Sequence, residues 1–294
     1  MKNTLDPLNP SVEPIKSTHQ VESYFDSESN SWSEIYQKKD VYSVIHQDRR
    51  DITLSIFDDL HLPQSAAILE IGCGAGFTTV EIAKRGYSVD AVDSSTAMVE
   101  LTRQNAIKFQ VESLVTTSVA DIYHLQNLDE SVDLAIVLGV IPWLPDLCRA
   151  IKEIHRVLVP GGLVIVNVDN RYRLNHLLDP LRMPIFSGIK HSLKILLEKI
   201  GIKEPSTTPT VTRYSIKEFD KMLLSSGLEI RKKRIFGFGP FFFFNKQLFS
   251  DETGVKLHRF LQCLTIKGNP IFRQTGSQYL VLAKKNGDAN ECDK

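Results

Sequence analysis

The sequence predicts an α/β fold: a parallel sheet covered by helices on both faces. Two observations carry that expectation. Short runs that are apolar at nearly every position alternate with longer amphipathic stretches between residues 66 and 169. Strands buried on both faces read in this continuous way, and parallel strands need helical crossovers. The first of these runs also passes directly into a glycine-rich turn, "EIGCGAGF" at 70–77, that opens a helical pattern. A strand, a tight turn and a helix N-terminus together bring backbone N–H groups to a ligand.

Each element can be justified in turn. Residues 1–17 are polar and Pro-containing, and read as a disordered leader. Helical patterns fill 18–60, an N-terminal lid ahead of a domain spanning 61–285. "AAILEIG" is the first strand, and "FTTVEIAKRG" a helix closed by Gly86. "YSVDAVD" is the second strand, after which Ser94 or Ser95 caps a helix running to about 108. "SLVTTSVAD" and "SVDLAIVLGV" are the third and fourth strands. The helix "PDLCRAIKEIHRVL" follows, and Pro160, Gly161 and Gly162 turn the chain into a fifth strand, "LVIVNVD". "SIKEFDKMLLSSG" starts with a capping box, Ser215 with Glu218, and stops at Gly227. "LEIRKKRIFGFG" and "SQYLVLAKK" are two further strands. Segments 170–213 and 237–276 are insertions into this one domain, and 286–294 is a tail.

Bulk properties narrow the function. The chain has 294 residues, 42% hydrophobic and 24% charged, as expected of a globular enzyme or binding protein. No apolar run nears the ~18 residues of a membrane helix, and no signal peptide is present, so a cytoplasmic location is expected. The four cysteines have no metal-ligand spacing, and no metal site is expected. Charge is uneven: residues 1–169 carry 13 Lys/Arg against 24 Asp/Glu, and residues 170–294 carry 22 against 11. A basic half can serve an anionic partner or simply be a solvated surface.

The glycine turn reads Gly72-x-Gly74-x-Gly76. A dinucleotide fingerprint would need its third glycine at Phe77, and a nucleotide P-loop would need a Lys that is absent. Glu70 just before the turn would repel a pyrophosphate but suits a ligand with an amine and hydroxyls. Asp93 ends the second strand, where an acid accepts hydrogen bonds from ribose hydroxyls. Asp121 ends the third.

On these residues the sequence resembles the class I S-adenosylmethionine-dependent methyltransferases. "LEIGCGAG", "VDAVDSS", "VAD", "VDLAIVLGV" and "HRVLVPGGLVIV" follow that family's motifs in order. The resemblance implies a Rossmann-like, seven-stranded, mostly parallel sheet whose last strand is antiparallel. It implies S-adenosyl-L-methionine as cofactor across the carboxyl ends of the first four strands. Carried over by position, Gly72, Gly74 and Gly76 line the methionine moiety, Asp93 the ribose and Asp121 the adenine. Glu70 helps to set the loop, and Cys73, Ser94, Met98, Ile122 and Leu138 complete the cofactor set.

The acceptor must then be bound by walls above the methyl group, and three additions converge there. "YFDSESNSWSEIYQ", with Tyr24 and Trp32, resembles the aromatic N-terminal signature of some natural-product and tetrapyrrole methyltransferases. Trp143 follows the fourth strand and either faces a cation or packs the lid. The two insertions supply Arg171 and Arg173 for an acidic group and the run Phe241–Phe244, headed by Phe241, to seal the pocket. "IFSGIKHSLKILLEKIGIK" adds an apolar helical face with lysines around it. A small, hydrophobic, possibly acidic acceptor is expected, methylated on oxygen rather than nitrogen or carbon. A lipid-like acceptor reached from a membrane surface also fits. Methylation of RNA or protein, or cofactor binding without chemistry, are the alternatives. Nucleic acid is disfavoured because no RNA-binding module is recognisable. No catalytic base stands out: His124, His176 and Asp169 qualify by position alone, and His155 reads as a packing residue. Cys73 has nothing near it in sequence to activate it, and "RKKR" at 231–234 reads as a solvated strand edge.

Overall fold

The computed structural model describes residues 18–180, 182–183, 211–244 and 246–286. The predicted helix in "IFSGIKHSLKILLEKIGIK", the leader and the tail lie outside the described residues. Two helices lead, α1 (Thr18–Glu34) and α2 (Val41–Asp59). The alternation follows: β1 (Ile68–Ile71), α3 (Phe77–Ala83), β2 (Val89–Asp93), α4 (Thr96–Lys108), β3 (Val115–Val119), β4 (Val132–Val137), α5 (Leu147–Val157) and β5 (Leu158–Asp169). After the short α6 (Leu174–Leu177) come α7 (Ile216–Ser225), β6 (Leu228–Phe236), and a small hairpin of β7 (Phe242–Phe243) and β8 (Lys246–Gln247). α8 (Asp251–Ile266), α9 (Phe272–Thr275) and β9 (Gln278–Lys285) close the chain.

Among the described residues seven strands form one sheet in the order β3-β2-β1-β4-β5-β9-β6. β9, the last in sequence, is antiparallel to both its neighbours, and the other neighbouring pairs are parallel. Because β6 therefore runs with β1–β5, its end points to the same sheet edge as theirs. Its "RKKR" run lies on the outermost strand. There Lys232 pairs with Asp59 and Lys233 with Asp220, as a solvated edge would.

The core splits into two layers, one on each face. On one face Ile151 and Ile154 of α5 and Phe219 and Leu223 of α7 pack on alternate residues of β4, β5 and β9. On the other, Ile45, Ile56 and Phe57 of α2 and Ile82 of α3 pack on Leu134, Ile136 and Leu280. Burial of both faces is what the continuous apolar runs required. The caps follow local chemistry. Ser95 rather than Ser94 caps α4, accepting from Met98 N at 3.1 Å, because Ser94 precedes the turn into the helix. Ser215 and Glu218 form the reciprocal capping box of α7. Gly227 adopts φ +77°, the left-handed turn that ends it.

Candidate active site

One cavity opens over the carboxyl ends of the parallel strands, between the sheet and the two N-terminal helices. Its floor is the turn after β1. Gly72, Gly74 and Gly76 all have positive φ (+75°, +54° and +76°), a backbone that side chains strain. The turn is pinned from below: Gly72 N and Cys73 N both donate to Val92 O, at 2.7 and 3.0 Å. Thr102 Oγ1 donates to Gly74 O at 2.7 Å. The glycines do different work. A Cβ on Gly74 would meet nothing within 4 Å, so its backbone faces the open cavity. A Cβ on Gly76 would lie 2.9 Å from Thr102 Cα, so Gly76 lets α3 pack against α4 and stands off the cavity lining.

Asp93 sits at the end of β2 with its carboxylate shared between Gly74 N (2.9 Å) and Ser95 N (3.0 Å). It thus couples the glycine turn to the start of α4 while lining the cavity. Burial raises its pKa against the pull of those N–H donors. Glu70 is buried on β1, and burial pushes its carboxyl up to about 7, although the Thr79 hydroxyl donates to it. Burial raises the Cys73 thiol well above its ordinary value, which leaves it a protonated, inert wall. Ser94, Met98, Asp121, Ile122 and Leu138 also line the cavity. Asp121 Oδ1 accepts from Tyr123 N at 3.0 Å.

The roof is aromatic. Phe25 and Trp32 of α1 meet at a 43° tilt with centroids 5.7 Å apart, and Phe25 meets Trp143 edge-on at 5.2 Å. Tyr24 packs on Trp143 from outside, 5.6 Å between rings, so it supports the roof without lining it. Asp26 fastens α1 down by accepting from Ser95 Oγ at 2.6 Å, at the N-terminus of α4.

A stripe of α2 supplies residues that the sequence reading missed: Tyr42, His46 and Arg49 line the cavity. Their spacing of four and three residues places them on one helical face, and that periodicity was the available signal. His46 Nδ1 lies 2.9 Å from the Tyr42 carbonyl. A carbonyl only accepts, so Nδ1 carries the proton and Nε2 keeps a lone pair. Burial first, and then the Arg49 cation, lower the His46 pKa to about 3, so the ring is neutral. The positional candidates differ. His124 turns to Arg149, 2.6 Å away, and neither it nor His176 lines the cavity. Asp169 does line it, with both oxygens engaged, by Arg173 Nη2 (2.6 Å) and Gln278 Nε2 (2.7 Å).

The proposed acceptor residues separate. Trp32, Trp143 and Arg173 reach the cavity. Arg171 points away to Glu218 at 2.8 Å, because α7 brings that carboxylate to the outer side of the segment. Phe241 is buried with Phe238 and Leu261 in a separate small core, and Phe243 and Phe244 are exposed on the hairpin. Among the described residues no three His, Cys, Asp or Glu side chains group as a metal site.

The arrangement tests well against a sulfonium nucleoside. Two strand-end acids, Asp93 and Asp121, flank an open glycine cradle, and the buried Glu70 with the half-buried Asp93 would oppose a pyrophosphate there. A family described as a methyltransferase domain matches residues 69–166, the span from β1 through most of β5. Over that span the chain carries a methyltransferase domain of the class I S-adenosylmethionine-dependent kind. It is 32% identical to a demethylmenaquinone methyltransferase of Lactiplantibacillus plantarum over 36% of this chain and 46% of that enzyme. It is also 32% identical to a ubiquinone biosynthesis O-methyltransferase of Alkalilimnicola ehrlichii, over 35% of this chain and 42% of that one. The chain thus spans less than half the length of these two curated relatives. In fold it is similar to magnesium protoporphyrin IX methyltransferase from Synechocystis PCC 6803 with bound SAH. That likeness covers 92% of this chain and 100% of the other, with a TM-score of 0.61 and 17% identity. The span matched by the family, residues 69–166, holds the glycine turn, Asp93 and Asp121.

Proposed function

We propose that this methyltransferase moves a methyl group from S-adenosylmethionine to a hydroxyl of a small, largely apolar acceptor. The observation that carries the reading is the His46 ring in the wall of an aromatic-roofed cavity, its Nδ1–H tied to the Tyr42 carbonyl so that Nε2 keeps a lone pair for a ligand's hydroxyl. Bound S-adenosylmethionine supplies a methyl already activated on a sulfonium. What remains for the protein is to hold both partners, exclude water from the cofactor and aim the acceptor's oxygen at the methyl. Gly74, Asp93 and Asp121 are the residues that would hold the cofactor. The Phe25, Trp32 and Trp143 rings keep the space above it dry and select an apolar acceptor. His46 Nε2 accepts a hydrogen bond from the acceptor's hydroxyl and aims its oxygen at the methyl; the ring, its pKa lowered to about 3, positions rather than deprotonates, and the proton leaves to solvent. The relatives' names, a ubiquinone O-methyltransferase and a demethylmenaquinone methyltransferase, support a small-molecule acceptor of this kind.

The test has two stages. Calorimetry should give S-adenosylhomocysteine binding and no NAD binding. Asp93→Ala should cost that binding about 2–4 kcal/mol, or thirtyfold and more. Incubation with methyl-labelled S-adenosylmethionine and a metabolite extract should then label a small organic product. His46→Ala should lower the labelling about a hundredfold at unchanged S-adenosylhomocysteine affinity. NAD binding, or label found only in protein or RNA, would overturn the reading.

A further inference from the structure

Arg49 is the charged group of the cavity that the fold leaves unanswered. Its Nε is buried without a hydrogen-bond partner. Among the described residues no carboxylate lies within ion-pair distance of its guanidinium. Arg156 and Arg173, by contrast, are satisfied in kind. Arg156 is held by Glu153, Asp129 and two carbonyls, and Arg173 by Asp169 and the Asn170 carbonyl. An unpaired guanidinium beside a cavity costs free energy unless a ligand answers it.

The surroundings are shaped for this side chain. Its Nη1 lies over Gly139, just beyond β4, where a Cβ would come within 2.6 Å. Gly139 itself has φ +72°, and its N–H is fixed by Asn167 Oδ1 at 2.7 Å. Asp169, the carboxylate at this end of the cavity, is already spent on Arg173 and Gln278. Counting Arg49, Arg173 and Asp169, the end carries one surplus positive charge. A guanidinium with Nε and one Nη free presents two parallel N–H donors, the spacing that a carboxylate matches.

We propose that Arg49 is the carboxylate-binding residue of the cavity and pairs, through Nε and an Nη, with a carboxylate brought in by a ligand. Two ligands can bring one: the α-carboxylate of the cofactor's methionine part, or an acid group on the acceptor. The inference rests on the methyltransferase reading, and its test separates the two.

Wild-type, Arg49→Gln and Arg49→Lys proteins would be titrated calorimetrically with S-adenosylhomocysteine and with 5′-methylthioadenosine, which has the same nucleoside and thioether but no carboxylate. In the presence of S-adenosylhomocysteine they would also be titrated with 4-hydroxybenzoate and octanoate. Cofactor recognition predicts that Arg49→Gln weakens S-adenosylhomocysteine about ten- to a hundredfold and leaves 5′-methylthioadenosine unchanged. Arg49→Lys should recover part of the loss, since it keeps the charge but not the fork. Acceptor recognition predicts unchanged S-adenosylhomocysteine affinity and loss of wild-type binding to 4-hydroxybenzoate or octanoate. Equal S-adenosylhomocysteine affinity with no Arg49-dependent carboxylate binding overturns the proposal, as does equal weakening of S-adenosylhomocysteine and 5′-methylthioadenosine. A wild-type protein that binds neither nucleoside would instead defeat the methyltransferase reading.

Discussion

Two covers meet over the carboxyl edge of this sheet, α1–α2 from the N-terminal side and residues 237–276 from the other. Both are rich in aromatic residues, yet they use them differently. The first cover turns Phe25, Trp32, Tyr42, His46 and Arg49 into the cavity. The second folds Phe238 and Phe241 onto Leu261 in a core of its own and lines the cavity at Gly239. The electrostatics divide in the same way. Under the first cover lie groups displaced from their ordinary ionisation, Glu70 upward and His46 downward, beside an unpaired Arg49. In the second, His258 is closed in a saturated network: Nε2 meets Asp48 at 2.8 Å, and Nδ1 accepts from Phe238 N at 3.1 Å. Arg259 takes the other Asp48 oxygen at 2.6 Å. Asp48 lies on α2, one residue before Arg49. The second cover therefore bears on the site through the helix it braces. Glu70 and His46 are held against their charged forms, whereas Asp48 is held in its charged form: against burial, the His258 and Arg259 hydrogen bonds lower its pKa.

The largest expected effect belongs to Glu70. Its folded carboxyl binds a proton more tightly than the unfolded one, with a pKa of about 7 against 4.5. Its contribution to stability is full below about 4.5 and is lost as pH rises towards 7. The loss is about 3 kcal/mol, at ~1.4 kcal/mol per unit. Denaturant titrations from pH 4.5 to 8 should therefore show a fall that Glu70→Gln abolishes. A Glu70→Gln protein with the wild-type pH slope would remove Glu70 from the strained side of the comparison.

His258 tests the other side. His258→Ala leaves Phe238 N and one oxygen of Asp48 unpaired in a buried position, which should cost about 2 kcal/mol of stability. If the network acts through α2, the fluorescence of Trp32, whose ring lies 5.7 Å from His46, should shift as well. A stability loss with unchanged Trp32 emission would confine the network's role to its own cover.

How much of this was legible beforehand follows the same division. The glycine turn, Asp93, Asp121 and the succession of strands and helices rest on backbone rules and strand-end positions, which sequence spacing encodes. Glu70 was readable as an acid at the end of the first strand that helps to set the loop; its burial and raised pKa come only from packing. His46 and Arg49 were not singled out, although their spacing with Tyr42 was visible, because only packing says which face of α2 looks inward. The Phe run misled in the opposite direction. Four consecutive phenylalanines suggested a pocket seal, but Phe241 found a separate core and Phe243 and Phe244 stayed in solvent. Arg171 was assigned to the acceptor by topology, and Glu218, 47 residues later in the chain, claimed it instead.

The smallest expected effect is on the hairpin tip. Phe243 and Phe244 touch each other edge-on at 4.7 Å and are 46% and 55% exposed. Their Cα partners place them at the turn of a two-stranded ribbon, with Phe243 opposite Lys246. Removing such rings gives up little burial, so Phe243→Ser with Phe244→Ser should change stability by no more than about 0.5 kcal/mol. S-adenosylhomocysteine affinity should stay within error, since neither ring lines the cavity. The substitution bears on the comparison from its weakest side. If the second cover acts only by bracing α2, its exposed tip is dispensable for cofactor binding and for methyl transfer to an acceptor in free solution. Loss of cofactor affinity in the double variant would mean that the hairpin folds over the cavity when the ligand is bound. The two covers would then share the lining of the site, and the division drawn between them would fail.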